Sequence, residues 1–140
     1  MKNPLHFLFF FVSVSFVYGV DVATAVEALR SDDYATRLQS REDLLQAFSN
    51  ASAPGQKDGR LRSLEASVAG HLDAGELPLE SRLYLIRMLG LFGSDVAIHA
   101  IYPLLGDDEP AVRDSARRAL AAIPGPRARV CLVNGLKRGP

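Results

Sequence analysis

The stretch LLGDDEPAVRDSARRAL, residues 104–120, concentrates residue types that do chemistry: Asp107, Asp108 and Glu109 stand just before Arg113, Arg117 and Arg118. Neighbouring carboxylates can ligate a divalent cation or share general acid–base work. Either chemistry needs more than a run of acids. A cation loop spaces its ligands at alternating positions around a glycine, and catalytic carboxylates need a partner across a cleft. Neither pattern surrounds these residues. Acids directly before Pro110 suit another role, because a carboxylate accepts the free N–H groups of a first helical turn and meets the positive end of the helix dipole. The expectation is that one of the three caps a helix starting near Pro110. Asp114 and Arg118, four residues apart, are then placed to pair on that helix's surface.

The remaining reactive side chains form no constellation. His6 lies in an apolar leader, and His71 and His99 have no second metal-type residue at helical spacing. The sequence has no HExxH, CxxC, glycine-rich phosphate loop or GxSxG motif. Cys131 is the single cysteine, so the chain cannot staple itself with a disulfide and its fold must rest on apolar burial. Asn50-Ala51-Ser52 satisfies the N-glycosylation pattern in a stretch that reads as an exposed loop. No catalytic, cofactor-binding or metal-binding residue is assigned, and the expectation is a protein that is not an enzyme.

Positioning elements follow from composition. Sixteen Lys and Arg balance sixteen Asp and Glu, which removes a whole-chain electrostatic case for nucleic acid or an anionic membrane. Abundant Ala, Leu and Arg favour helices, and β-branched residues are sparse beyond the N-terminal segment. One domain is all that 140 residues support.

Residues 1–20, MKNPLHFLFFFVSVSFVYGV, are a different material. Lys2 supplies a positive start, Phe7 to Tyr18 is an uncharged apolar run, and Val17 and Gly19 are compact residues at the cleavage position. This pattern predicts a secretory signal peptide over residues 1–19 and hence an exported protein, periplasmic or secreted, with no membrane contact after cleavage. The alternatives are a cut after Ala25 and an uncleaved N-terminal membrane anchor, for which the apolar run falls short of about 20 residues.

Past the leader, apolar residues recur at helical spacing in six segments: Val22-Val26-Leu29, Tyr34-Leu38-Leu45-Phe48, Leu61-Leu64-Val68-Leu72, Leu83 to Phe92, Ala97 to Leu105, and Val112-Ala116-Ala119-Leu120-Ile123. Asp21 is placed to cap the first, and the second starts after Ser31-Asp32-Asp33. Breaks fall at NASAPGQKDG (50–59), DAGELP (73–78), GSD (93–95) and PGP (124–126). The repeat domain is expected over residues 20–124, with a C-terminal tail, 125–140, that starts a helix without completing it.

The segments repeat. ESRLYLIRMLGLFG (80–93) lies over AVRDSARRALAAIP (111–124), placing Arg82 on Arg113 and Leu89 on Leu120. LRSDDYATRLQSREDLLQA (29–47) lies over residues 104–123 if one loop residue is dropped, which pairs Asp32 with Asp107 and Arg37 with Arg113. In its apolar first helix ending in Leu-Leu, acidic turn, Val-Arg and Ala/Leu-rich second helix, AIYPLLGDDEPAVRDSARRALAAI resembles the HEAT repeats, especially their short bacterial form. The other two units depart from that pattern: Ser81 and Thr36 replace the valine, and AGELP replaces the double-acid turn.

The resemblance implies an all-α solenoid of about three stacked antiparallel helix pairs. It also implies that Arg37, Arg82 and Arg113 form a ladder between repeats with Asp32 and Asp107, and that partners bind along the second helices, where Arg41, Arg87, Arg117 and Arg118 make a mildly basic strip. The expected function is a non-catalytic scaffold for a partner protein. An apolar end around Val130 to Val133 is expected to be open to a partner or to a second copy. The alternatives are the repeat module of a larger multidomain protein, an enzyme-associated module similar to the bilin lyases, and a nucleic-acid-binding solenoid. An exported address argues against the last two, and arginines interspersed with acids would remove the last.

Overall fold

A computed structural model of the protein describes residues 21–56, 58–73 and 77–137. The leader read over residues 1–19 lies outside these residues, as do Ala74, Gly75 and Glu76 of the second break. Among the described residues there are seven α-helices and no strand: α1 (Val22–Ala28), α2 (Tyr34–Ala51), α3 (Asp58–Asp73), α4 (Leu79–Phe92), α5 (Asp95–Ile101), α6 (Pro110–Ala122) and α7 (Pro126–Lys137). No described helix is long and apolar enough to cross a membrane.

The caps fall where short polar side chains precede an apolar stripe. Asp21 accepts from the Ala23 N–H at 3.3 Å, Asp33 from the Thr36 N–H at 2.8 Å, and Glu109 from the Ala111 N–H at 3.3 Å. Asp33 also accepts from the Thr36 hydroxyl, and these bonds hold its carboxyl below the usual carboxylate range. Pro103 has no N–H to continue an α-helical ladder, and α5 tightens there into a 3-10 turn over Tyr102–Gly106.

The helices stack in two layers. α1, α3, α5 and α7 follow one another in the first, and α2, α4 and α6 in the second. The pairs α1–α2, α3–α4 and α5–α6 are three stacked antiparallel hairpins, and α7 adds a fourth member to the first layer. The core between the layers is continuous: Val26, Leu29, Leu44, Phe48, Leu85, Ile86, Leu89, Ile101, Val112 and Leu120 are all buried within it. No single hairpin could shield that set from water, so the units depend on stacking for their stability.

Two expectations are corrected. In α2 the inward residues are Ser40, Leu44, Phe48 and Ala51, while Tyr34, Leu38 and Leu45 are exposed. α2 carries apolar residues on two sides, and the side with Leu44 and Phe48 turns inward, where the serine between the helices is also satisfied. The buried Ser40 hydroxyl donates to the Ala25 carbonyl, one of the acceptors the end of α1 leaves free. Ser81, standing where the repeat pattern has valine, does the same for the Leu29 carbonyl at 2.8 Å. The tail, in turn, forms a regular helix. Ala128 is buried, and Gly135 approaches Leu105 so closely that a Cβ there would lie 2.1 Å from the leucine Cδ1.

Candidate functional site

The acidic turn is a structural joint. Asp107 Oδ1 accepts from the Glu109 N–H at 2.9 Å, and Asp107 Oδ2 accepts from Arg82 Nη2 at 2.6 Å. Arg113 Nη1 donates to the Asp107 and Asp108 carbonyls at 2.7 and 3.0 Å. Partial burial works to raise the Asp107 carboxyl, but the Glu109 N–H, the Arg82 bond and the Arg82 and Arg113 charges outweigh it and hold the group below the usual range. These contacts occupy Asp107 and Glu109 in fixing the chain. Among the described residues no three His, Cys, Asp or Glu side chains gather as a metal site.

The first unit contains the same joint in different residues. Arg37 Nη1 donates to the Ser31 and Asp32 carbonyls at 2.6 and 2.9 Å, and the Ser31 hydroxyl accepts from the Asp33 N–H at 3.1 Å. The alignment is therefore free of gaps at an offset of 76 residues: Leu29 on Leu105, Ser31 on Asp107, Asp32 on Asp108, Asp33 on Glu109, Arg37 on Arg113 and Leu44 on Leu120. This corrects the ladder. Arg37 and Arg113 clamp carbonyls of their own turns, and Asp32 contributes its carbonyl while its side chain is exposed. Of the three aligned arginines, Arg82 is the one whose described bond crosses between units, to Asp107. Matching aspartate to aspartate by residue type pointed one position away from the serine that does the work.

The outer face of α2, α4 and α6 is a continuous surface. Tyr34, Leu38, Arg41 and Leu45 follow one another at helical spacing on α2, with the three apolar residues 66, 42 and 46% exposed. The Arg41 guanidinium lies 5.3 Å from the centre of the Tyr84 ring, and the Tyr84 hydroxyl donates to the Arg41 carbonyl at 2.5 Å, joining α2 to α4. Burial pushes the Tyr84 phenol above its ordinary value, against the pull of Arg41 and Arg87. On α4, Arg87 and Leu91 continue the surface outward, Leu91 being 64% exposed. A groove of about 400 Å³ follows between α4 and α6, with Leu83, Gly90, Leu91 and Ala119 along it and Arg87 and Arg118 at its edges.

The four arginines assigned to a partner surface thus have different settings. Arg41 is stacked on Tyr84, and Arg87 is exposed beside the groove. Arg118 reaches Asp114 at 2.7 Å with both side chains largely in solvent, while Arg117 is half-buried and does not line the groove. The strip expected to be basic is an apolar surface carrying separated arginines. Sequence reasoning missed Tyr34, Leu38 and Leu45 because they were counted as core, and Leu91 because α4 is apolar around most of its circumference.

Other marked residues stand apart. Asn50 lies in the last turn of α2, where its side-chain oxygen accepts from Gln46 Nε2 at 2.8 Å, so the glycosylation pattern sits in helix and not in a loop. His99 lies 3.4 Å from Arg127, whose guanidinium also reaches Asp95 at 3.1 Å. Cys131 is a half-buried free thiol on α7. Glu65 on α3, unmarked by the sequence, is fully buried and accepts from the Ser94 hydroxyl at 2.6 Å.

Neither a curated protein nor a solved structure shows a significant match to this sequence. Residues 78–140, from the start of α4 through α7, match the family model of HEAT repeats. Over those residues, fewer than half of the chain, where α4 stacks on α6 and the Arg82–Asp107 pair joins consecutive units, the chain is similar to HEAT repeats.

Proposed function

We propose that this protein is an exported, non-catalytic scaffold that captures a partner protein on the outer face of α2, α4 and α6. HEAT repeats generally mediate protein–protein interaction, and the observation that carries the assignment is the amphipathic make-up of that face. Tyr34, Leu38, Leu45 and Leu91 offer apolar anchors, and Arg41, Arg87 and Arg118 stand between them. Aromatic and arginine side chains beside small apolar depressions are the composition of binding hot spots. Glu42 and Asp114 interrupt the arginines along α2 and α6, which disfavours a phosphate backbone as the ligand. A segment with apolar anchors and one or two carboxylates is complementary.

The exported address rests on Lys2 and the apolar run Phe7 to Tyr18. Mass measurement of the chain recovered outside the cytoplasm tests it, with a new N-terminus at Val20 expected and an intact Met1 terminus overturning cleavage after Gly19. A photo-crosslinking side chain at position 91 tests the face. Crosslinking to a partner in the exported fraction is expected from position 91 and not from the same probe at Ala66 on α3, and equal crosslinking from both positions would overturn the assignment of the face.

A further inference from the structure

The two ends of the array are chemically unlike. Every acidic residue of the chain lies between Asp21 and Asp114, and residues 115–140 hold six basic residues and none acidic. α7 seats itself through Ala128 and Gly135 and turns Val130, Val133 and Leu136 outward, 58, 50 and 58% exposed, with Arg129 and Lys137 beside them. At the opposite end a groove of about 1210 Å³ runs along α1 and α2, with Ala25, Ala28 and Ala47 among its small residues and three acids, Asp21, Asp33 and Asp43, against one base, Arg60, on its walls.

The 76-residue offset identifies what the groove is shaped to hold. Ala35, Gln39 and Asp43 of the groove correspond to Ala111, Ser115 and Ala119 of α6. That side of α6 is where α4 packs, with Gly90 against Ala119. The groove is therefore the helix-receiving side of the first unit, carrying a carboxylate where the internal seam has a methyl group. A helix that completes it needs an apolar ridge to enter between the alanines and basic side chains to meet Asp33 and Asp43. α7 has both.

We propose that α7 of one copy docks in the α1–α2 groove of a second copy of this chain. Symmetric packing of α7 on α7 would cover the same apolar residues but bring Arg129 and Lys137 of both copies together, and like charges at an interface repel. The head-to-tail contact replaces that repulsion with attraction. Being heterologous, it propagates and need not stop at a dimer. It goes beyond the scaffold function above and leaves the α2–α4–α6 face open, so the two readings fail separately: partner capture through Leu91 does not depend on it.

Site-specific disulfide trapping in the full chain tests the contact, since Cys131 is the single native cysteine. In a Cys131→Ser background, Gln39→Cys or Gln46→Cys marks the groove, Asn134→Cys marks α7, and Ala66→Cys on exposed α3 measures random collision. Two groove sites are used so that one poorly folded variant, detected by circular dichroism, does not decide the matter. The groove–α7 disulfide should exceed the α3–α7 product by about tenfold or more at low salt. The excess should shrink toward 1 M salt, where the screening length is about 3 Å. Asp43→Lys in the groove copy should remove most of it, and combining Gln39→Cys with Asn134→Cys in one chain should give a ladder of oligomers. A dominant α7–α7 product would establish the symmetric contact instead and overturn the proposal. So would a groove–α7 yield no greater than the collision control, or an excess indifferent to both salt and Asp43→Lys.

Discussion

α4 meets its two neighbours in the second layer by opposite means. Against α6 it comes within backbone distance: a Cβ on Gly90 would stand 2.7 Å from the Ala119 Cα and 2.9 Å from its Cβ. Against α2 it is held off by large side chains, with the Phe48 and Phe92 rings 5.5 Å apart and Arg41 stacked on Tyr84. The first seam is glycine on alanine, which only small residues permit, and it lies inside the segment that matches the family model of HEAT repeats. The second places aromatic and cationic groups where the regular stack has methyl groups. A solenoid of this size can thus change the chemistry of one seam while keeping the same turn, because each unit touches only its neighbours.

The two seams should break differently. Phe48→Ala removes a fully buried ring and is expected to cost about 3–5 kcal/mol, the largest single effect here. Hydrogen exchange should show α1 and α2 losing protection before α4 and α6. Protection lost uniformly would mean that the two seams are not energetically separate. Gly90→Ala gives the reverse pattern. Its helix-propensity gain of up to about 1 kcal/mol is outweighed by contact with the Ala119 backbone, which cannot move aside as a flexible side chain would. The net destabilisation should be about 1–3 kcal/mol, with protection lost first in α6 and α7. Thermal or denaturant unfolding of the two variants measures both values, and a stabilised Gly90→Ala would show the α4–α6 approach to be looser than described.

What could be read from the sequence divides along the same line. The all-α class, the breaks and the caps at Asp21 and within the acidic run were legible, because capping needs only a short acceptor before a helical stripe. The six apolar segments gave the three hairpins. α2 was misread because Leu38 and Leu45 obey helical spacing as well as Leu44 and Phe48 do, and nothing in the spacing says that the buried side contains a serine. Ser40 is accommodated there by its bond to the Ala25 carbonyl, a tertiary contact 15 residues away, beside the buried Leu44 and Phe48. The arginine ladder was half-legible for a related reason: residue type suggested Asp32, whereas the turn uses the Ser31 hydroxyl and two carbonyls. α7 was obscured by Gly135, which weakens a helix by propensity and is needed here for the approach of Leu105.

The Arg82–Asp107 pair, the described ionic link between two units, comes next in size. Both side chains are less than one-fifth exposed and the bond is 2.6 Å, so Arg82→Ala is expected to cost about 1–2 kcal/mol, in the range of charge-assisted hydrogen bonds. A double-mutant cycle with Asp107→Asn isolates the coupling. The Asp107 carboxyl is lowered in the folded state, so its contribution is present above the ordinary value of 3.8 and is lost as pH falls through the lower folded value. The wild-type advantage over Asp107→Asn should therefore be full at neutral pH and shrink on acidification below about pH 4. An advantage independent of pH would assign the effect to packing and not to charge.

The smallest structural effect belongs to the outer face, and it separates binding from folding. Arg118 and Asp114 pair four residues apart in solvent, and such pairs contribute roughly 0.2–0.5 kcal/mol. Leu91 is largely exposed, so Leu91→Ser should also leave the unfolding midpoint almost unchanged. If these residues serve a partner, Arg118→Ala and Leu91→Ser should weaken capture by about fivefold or more, the size expected when a contact above about 1 kcal/mol is lost. Equal losses of stability and capture would make the face part of the fold. Capture unaffected by either substitution would move the partner site off the α4–α6 groove altogether. The aromatic α2–α4 seam would then be the surface to test, beginning with Tyr34 and Leu38, which the fold does not need to bury.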